Sequence, residues 1–379
     1  MTTSFDQLGV PRTLVGALAQ RGITEPFPIQ AATIAEAMAG RDLCGRAPTG
    51  SGKTLAFGLP LAARVGRAEP RRPRGLVLLP TRELAAQVAA ELAPLAQAAG
   101  RRVATFYGGT SLGRDQQRLR RGVDLAIACP GRLADLVGRG DADLSDVEVV
   151  VLDEADRMAD MGFLPEVRRL LDTTPRRRQT LLFSATLDGD VDVLIRRYQR
   201  DPVRHELAED PDEQGEVRHY FWHAEPSERV GLTRDVVAHA SSAIVFTRTK
   251  HAADRVAKQL NRRGVASAAI HGNRSQNQRQ RALAAFSSGE VAALVATDVA
   301  ARGIHVDDVG VVVHFDPPAT EKDYVHRSGR TGRAGADGLV VTLVAPDKVA
   351  DVKGLQRALK LRQRIASAAP EELSAAPAR

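Results

Sequence analysis

Short apolar runs alternate along the chain with longer stretches in which apolar residues recur at helical spacing. Continuous apolar runs bounded by polar residues are typical of parallel strands buried on both faces, and the helical stretches between them indicate βα units. The pattern therefore predicts an α/β fold in which mainly parallel sheets are flanked by helices. The runs include residues 75–80, 124–130, 147–153, 179–186, 242–247, 292–298 and 310–316.

A repeated pattern predicts two similar halves. Segments 75–92 and 242–260 each combine an apolar run, a Thr-Arg pair and an amphipathic helix. The length of 379 residues also exceeds the size at which a single core keeps growing. The acidic segment 206–219 contains Pro and Gly without apolar periodicity, which is typical of a linker. We predict an N-terminal domain over 1–207, a linker over 208–217, a C-terminal domain over 218–365 and a disordered tail over 366–379.

The composition is that of a globular protein with a modest basic surplus, 53 Lys and Arg against 46 Asp and Glu. A net charge of +7, dispersed along the chain, suits a polyanionic partner and equally fits a solvated surface. Cys44 and Cys129 alone form neither a metal site nor a disulfide framework. The start lacks the pattern of a signal peptide, and no run approaches the ~18 apolar residues of a membrane span. These features predict a cytoplasmic protein without a membrane partner.

Residues 46–57, RAPTGSGKTLAF, contain a phosphate-loop pattern between a short apolar segment and a helical pattern. Ala47 stands where the first glycine is usual, while Gly50 and Gly52 let backbone N–H groups converge on phosphate oxygens. Lys53 is predicted to reach the β- and γ-phosphates, and Thr54 to hold Mg²⁺. The pattern predicts ATP and Mg²⁺ as cofactors, with nucleotide contacts from Thr49, Gly50, Ser51, Gly52, Lys53 and Thr54.

Carboxylates crowd the end of a buried run in VVVLDEADRM, residues 149–158. Asp153, at the tip of the predicted strand, can hold Mg²⁺ directly or through its water, which offsets the repulsion between the acids. Glu154 can then orient and deprotonate a water that attacks the γ-phosphate. Acids at a helix N-terminus also occur for stability alone. The phosphate loop favours the catalytic interpretation.

The letters from Asp153 to Asp156 spell DEAD, and the chain resembles the DEAD-box RNA helicases over nearly its whole length. This resemblance implies two tandem RecA-like domains, each a mainly parallel β-sheet flanked by helices. GITEPFPIQ (22–30) is similar to the family's adenine-reading motif, with Ile23 where an aromatic residue is usual. Gln30 is thereby implied to read the adenine edge and Phe5 to pack near the base. Further matches are PTRELAAQ (80–87), Gly108-Gly109, PGR (130–132), SAT (184–186), VFTRT (245–249), Gln276 with Arg279, ATDVAARG (296–303) and HRSGRTGR (326–333).

The resemblance assigns part of the catalytic set to the second half. Arg330 and Arg333 are implied to be arginine fingers, which accelerate phosphoryl transfer roughly 10³- to 10⁵-fold. His326 is implied to join the network around the γ-phosphate, and Gly303 and His305 to lie near the ATP ribose. His305 replaces the usual Asp; the change either makes the affinity for ATP weaker or pH-sensitive, or is a neutral substitution at a solvated edge. Residues implied to couple hydrolysis to RNA are Asp156, Ser184 and Thr186.

RNA contacts are also implied by the matched motifs. Aromatic residues make up only 4% of the chain, so contacts to the RNA backbone without strong sequence preference are expected. A preference for RNA over DNA rests on the resemblance. Cys129 and Asn273 stand where Thr and Asp are usual. The implied RNA contacts are Pro80, Thr81, Arg82, Gly109, Gly131, Arg132, Arg248, Gly272, Arg279 and Thr297.

The combined expectation is an RNA-stimulated ATPase that separates short RNA duplexes locally. ATP and RNA that both favour a closed arrangement of two domains must bind cooperatively. One alternative is an ATP-gated RNA clamp with little unwinding, and another is a DNA-directed ATPase of the same superfamily. The sequence identifies neither the RNA substrate nor any ribonucleoprotein or RNA-decay partner.

Overall fold

The computed structural model describes residues 3–47, 51–187, 189–206, 215–298, 309–332 and 336–373. The chain divides into two compact units, Met1–Glu209 and Asp210–Arg379. In the described residues of each unit, seven strands form one sheet in which every strand pair is parallel. The predicted fold class, tandem parallel sheets flanked by helices, is confirmed.

The first unit has the strand order β3-β4-β2-β5-β6-β1-β7. Its strands are β1 (Leu43–Arg46), β2 (Gly75–Leu78), β3 (Val103–Phe106), β4 (Leu125–Ala128), β5 (Val149–Asp153), β6 (Gln179–Ser184) and β7 (Val203–Glu206). Its helices are α1 (Arg12–Ala19), α2 (Pro28–Met38), α3 (Lys53–Arg64), α4 (Arg82–Ala98), α5 (Leu112–Arg120), α6 (Pro130–Gly138), α7 (Ala155–Asp160), α8 (Leu164–Asp172) and α9 (Gly189–Tyr198).

The second unit has the strand order β10-β11-β9-β12-β13-β8-β14. Its strands are β8 (Val217–His223), β9 (Ala243–Phe246), β10 (Ser267–Ile270), β11 (Ala293–Ala296), β12 (Val311–His314), β13 (Gly338–Val344) and β14 (Ile365–Ser367). Its helices are α10 (Arg229–Ala238), α11 (Lys250–Arg262), α12 (Gln276–Ser287), α13 (Glu321–Ser328) and α14 (Val349–Ala358), with 3₁₀ turns at Pro346–Lys348 and Pro370–Glu372.

Each sheet lies between two apolar clusters, which explains its uninterrupted apolar strands. Along β5, Val149 and Val151 belong to one cluster, while Val150 and Leu152 belong to the other. Successive side chains of a strand point to opposite faces, so a strand covered on both faces must be apolar at every position. Among the described residues, no helix is both long and apolar enough to cross a membrane.

The segment expected to be a disordered tail, 366–379, contains ordered structure as far as Leu373, which corrects that expectation. Strand β14 extends the sheet by pairing with β8. Leu373 is buried in an apolar cluster of the second unit. One strand pairing and one buried leucine hold a segment whose own sequence has no apolar periodicity. The expected linker, 208–217, lies mostly outside the described residues, and its last residue, Val217, begins β8.

Candidate functional site

The turn between β1 and α3 places the phosphate-loop residues at the carboxyl end of the first sheet. Gly52 caps α3 with φ 87°, a conformation that favours glycine. A Cβ at this position would come within 2.6 Å of the Phe27 ring, so the loop also needs glycine for space. Pro48, Thr49 and Gly50 lie outside the described residues.

Lys53 and Thr54 occupy the first turn of α3, where free backbone N–H groups and the helix dipole favour an anion. The Lys53 ammonium donates a hydrogen bond to the Ala47 carbonyl oxygen at 2.8 Å. This bond spans the loop and joins its two ends. Four of the predicted nucleotide contacts, Ser51, Gly52, Lys53 and Thr54, thus lie in one turn at the N-terminus of α3.

Gln30 ties the adenine-motif segment to the phosphate loop. Its Nε2 donates to the Gly52 carbonyl oxygen at 2.9 Å, and its Oε1 accepts from the Phe27 N–H at 2.9 Å. Gln30 itself is buried. The amide therefore fixes the start of α2 against the start of α3.

Two phenylalanines differ sharply in their exposure. Phe5, expected to pack near the base, is 1% exposed and lies in the apolar core of the first unit. Phe27 is 58% exposed and lies against Gly52. Phe27 was not among the expected nucleotide contacts. The sequence feature that could have identified Phe27 is its position, three residues before Gln30 in the same motif.

Two of the three acids in the DEAD segment, Asp153 and Glu154, are buried at the end of β5. Asp153 is 4% exposed and Glu154 is 8% exposed. The Asp153 carboxylate accepts the Glu154 N–H at 3.0 Å, and Arg157 donates to the Glu154 carboxylate at 2.9 Å. Glu154 has φ 51° and ψ 51°, a left-handed conformation that is uncommon for this residue type. Such strain concentrates at functional sites, where it fixes the direction of a side chain.

A hydrogen bond connects the DEAD segment to the SAT segment. The Asp156 N–H donates to the Ser184 hydroxyl at 3.2 Å. Ser184 ends β6, the strand between β5 and β1, and is fully buried, whereas Thr186 is exposed. Strand β6 therefore connects the DEAD segment, through this hydrogen bond, with its neighbour β1, the strand that leads into the phosphate loop.

Oxygen ligands suited to Mg²⁺ are available from Thr54 and Asp153. Among the described residues, no group of three or more His, Cys, Asp or Glu side chains is arranged to hold a metal. Mg²⁺ commonly uses one or two protein oxygens and completes its shell with phosphate and water. A hydroxyl and a buried carboxylate fit that chemistry, and a dedicated protein cage is not required.

The expected RNA contacts of the first unit follow three neighbouring strands, β3, β4 and β2. Gly109 follows β3, Gly131 and Arg132 follow β4, and the segment Pro80–Arg82 follows β2. The carboxyl ends of parallel strands meet at one edge of a sheet, so these residues share that edge. The ATP elements follow β1, β5 and β6, which form the adjacent part of the same edge.

Local contacts distinguish the arginines at this edge. The Arg82 guanidinium lies against Gly109. A Cβ added at Gly109 would be only 2.5 Å from Arg82 Nη1. Arg132 donates to the buried Asp115 carboxylate at 2.5 Å and to the Thr110 carbonyl at 3.1 Å. Much of the Arg132 guanidinium is therefore engaged in holding the loop next to Gly109.

Cys129 precedes α6 and is buried. Burial, reinforced by the charge of Glu83, raises the pKa of this thiol to about 12. The thiol is therefore neutral near pH 7 and fills space at the base of the PGR turn.

The second unit repeats the arrangement. Gly272 follows β10, Thr297 follows β11 and Arg248 follows β9, and these three strands are neighbours. Arg279 lies on α12 and is buried to 9% exposure. The motifs that the resemblance associates with RNA thus occupy equivalent strand ends in both sheets.

Helix α13 carries the expected catalytic residues of the second unit. His326 is exposed on its last turn, and Arg330 follows two residues after its end. Arg327 between them is buried and binds both carboxylate oxygens of Asp298. This pair was not predicted, although both residues lie in motifs that the sequence shows. Arg333, Gly303 and His305 lie outside the described residues.

Comparisons with known proteins agree with this arrangement. Residues 27–194 match the family described as DEAD/DEAH box helicase, and residues 229–335 match the helicase conserved C-terminal domain. The chain is 41% identical over 360 residues to the mitochondrial DEAD-box ATP-dependent RNA helicase 9 of Arabidopsis thaliana, covering 92% of the chain and 58% of that protein. It is 38% identical over 360 residues to the DEAD-box ATP-dependent RNA helicase CshA of Bacillus cereus, covering 94% of the chain and 68% of that protein. The chain covers 48% to 68% of the length of these and other curated relatives.

A solved structure of Dbp5 from S. cerevisiae, bound to RNA and ADP BeF3, is similar in fold. The TM-score is 0.79 at 25% sequence identity, and the match covers 96% of this chain and 95% of that one. The order of the motifs, the two parallel sheets and these matches lead to one assignment: the chain belongs to the DEAD-box ATP-dependent RNA helicase family.

Proposed function

We propose that the protein is an RNA-stimulated ATPase that separates short RNA duplexes without strong sequence preference. The observation that carries this proposal is the division of one sheet edge in the first unit. Phosphate-loop, DEAD and SAT residues follow β1, β5 and β6, while the RNA motifs follow β3, β4 and β2. Nucleotide and RNA would therefore bind adjacent parts of a single rigid sheet.

The residues of the first unit have complementary roles in this proposal. Lys53 and the α3 N-terminus bind phosphate, and Gln30 reads adenine. Thr54 and Asp153 hold Mg²⁺, which when bound neutralises phosphate charge. Glu154 accepts the proton of the attacking water, and its strained backbone and its bond to Arg157 fix its direction.

The second unit supplies positive charge and further RNA contacts. Arg330, Arg333 and His326 act on the transferred phosphoryl group. Arg248, Gly272, Arg279 and Thr297 bind the RNA backbone. Asp156, Ser184 and Thr186 couple the state of the nucleotide to RNA through the hydrogen bond between Asp156 and Ser184. A cytoplasmic location stays a prediction.

The test combines ATP turnover and strand separation in the full chain. RNA is expected to raise ATP turnover, and a short RNA duplex is expected to separate only with ATP. Glu154→Gln is expected to lower turnover roughly 10²- to 10⁴-fold with ATP and RNA binding retained. Glu371→Gln, at an exposed position of the C-terminal 3₁₀ turn, is the matched control and should behave as wild type.

Three outcomes would contradict the proposal. Stimulated turnover without strand separation would favour an ATP-gated clamp. Equal stimulation by RNA and DNA would favour a DNA-directed ATPase. Rapid turnover by Glu154→Gln would remove Glu154 from the catalytic role.

A further inference from the structure

The basic surplus of the chain is concentrated in one segment, which corrects the expectation of a dispersed charge. Residues 250–281 contain eight Lys or Arg and one acidic residue. Their net charge of +7 equals that of the whole chain, so the remaining residues balance. The segment forms α11, β10 and the start of α12, at one edge of the second sheet. Its basic residues are Lys250, Arg255, Lys258, Arg262, Arg263, Arg274, Arg279 and Arg281.

An open groove of about 660 Å³ runs along this edge between α11 and α12. We call it the β10 groove. Four alanines, Ala257, Ala268, Ala269 and Ala282, line it together with Lys258 and Arg281, both exposed. Among the described residues, neither Lys258 nor Arg281 forms an ion pair. Two cationic side chains without an ion pair among the described residues thus lie beside the alanines of the β10 groove.

The acid in the β10 groove is already neutralised. Asp254 accepts from Arg274 at 2.6 Å and contacts His271 Nε2 at 3.0 Å. Hydrogen bonds from His271 and Arg274 oppose the effect of burial, and the pKa of Asp254 lies below its usual value. The groove therefore presents net positive charge, which suits an anionic ligand.

The backbone of β10 disfavours an added peptide strand. Asn261 donates to the Ser267 carbonyl at 2.8 Å and accepts the Ser267 N–H at 3.0 Å. These bonds occupy the N–H and C=O of Ser267, the first residue of the edge strand, and so remove one pairing position for an added strand. The alanine floor also lacks the deep apolar pocket that anchors most peptide ligands.

The β10 groove continues directly from the expected RNA contacts of the second unit. Gly272 follows β10, and Arg274, which lines the groove, lies two residues further along the chain. Helix α12 carries Arg279 and, two residues later, Arg281. An RNA strand that contacts Gly272 would therefore meet the groove at Arg274, which lines it.

We propose that the β10 groove binds the phosphate backbone of an RNA strand that extends beyond the motif contacts. Lys258 and Arg281 each neutralise a phosphate, and the small side chains let the strand lie close to the sheet edge. None of the described residues that line the groove is aromatic, so none can stack on a base. The groove therefore adds affinity for long RNA without sequence preference. This inference rests on the proposed RNA-dependent function.

The test compares the double variant Lys258→Glu/Arg281→Glu with wild type on two single-stranded RNAs. One RNA has about 6 nucleotides and is limited to the motif contacts, and the other has about 20. The variant is expected to bind the long RNA about tenfold more weakly and to change its affinity for the short RNA less than about threefold. The slope of log affinity against log salt for the long RNA should fall by about 1.4, the value for two phosphates on a single strand.

Arg255→Glu/Arg263→Glu is the matched control, because it changes the net charge equally. Arg255 and Arg263 line a different pocket, together with Phe315 and Asp316. The control should lose less than about threefold in affinity for the long RNA. ATP turnover at saturating RNA should be unchanged in both variants.

The groove proposal is overturned if Lys258→Glu/Arg281→Glu binds long RNA like wild type, or if the control loses as much. In both cases wild type still binds RNA and shows RNA-stimulated turnover, so the proposed function survives. A wild type that neither binds RNA nor responds to it would overturn the proposed function and the groove together.

Discussion

Arg327 grips Asp298 with two hydrogen bonds, Nε to Oδ1 at 2.6 Å and Nη2 to Oδ2 at 2.7 Å. Arg327 also donates to the Asp316 carbonyl at 2.8 Å, and its guanidinium lies 5.1 Å from the centre of the Phe246 ring. These contacts join α13 to the segment after β11 and to β9. They fix the helix that carries His326 and leads into Arg330.

We therefore expect Asp298→Ala to act on both stability and catalysis. Removing the carboxylate leaves the buried Arg327 guanidinium without its carboxylate partner, which should lower the free energy of unfolding by about 2 kcal/mol. ATP turnover should fall because α13 loses its anchor, with little change in KM for ATP. Denaturant unfolding and steady-state kinetics measure the two effects.

Arg234→Ala provides the control for the Asp298 variant. Its exposed pair with Asp235 should contribute less than about 0.5 kcal/mol. Unchanged turnover in Asp298→Ala, despite lower stability, would limit the Arg327 pair to a structural role.

The two phenylalanines near the start of the chain should respond differently to truncation. Phe27→Ala is expected to raise KM for ATP about tenfold, because an exposed ring beside Gly52 can stack on the base. Phe5→Ala is expected to lower the free energy of unfolding by about 3 kcal/mol, because it opens a cavity in the core. Phe27→Tyr keeps the ring and serves as the control. If Phe5→Ala instead raised KM for ATP without lowering stability, Phe5 and not Phe27 would be the residue that contacts the base.

The stability of the protein should depend on pH through His314. This side chain is fully buried, with Nδ1 3.0 Å from the Thr342 hydroxyl. Burial, followed by the charges of Arg327 and His219, lowers its pKa well below 6.5. The unfolded chain therefore binds the proton more readily, and the free energy of unfolding falls as the pH drops below about 6.5. The largest slope from one histidine is about 1.4 kcal/mol per pH unit.

Denaturant unfolding between about pH 5 and pH 8 tests this prediction. His314→Asn retains a polar group toward Thr342 but does not titrate, so its stability should vary less with pH than that of wild type. Some dependence should persist, since burial also lowers the pKa of His219. His251→Asn, at an exposed position of α11, is the control and should match wild type. Identical slopes for His314→Asn and wild type would refute the assignment.

Local sequence was sufficient for most strands that are covered on both faces, although β13, buried at all seven positions, was not among the predicted runs. Runs such as 147–153 and 310–316 contain β5 and β12, whose side chains are all buried. Edge strands β3 and β10 were not predicted, because their partly exposed residues interrupt the apolar pattern. The phosphate loop and the DEAD acids were likewise readable, since each needs residues that are close along the chain.

The sequence by itself determined the two-sheet architecture, the family and the motif positions, because apolar periodicity and short motifs are local properties. Only the tertiary structure decided that Phe5 is buried while Phe27 is exposed, and that Arg327 forms two hydrogen bonds with Asp298. It also held Leu373 in the core. Each of these depends on contacts between distant segments, which chain folding fixes and local composition does not.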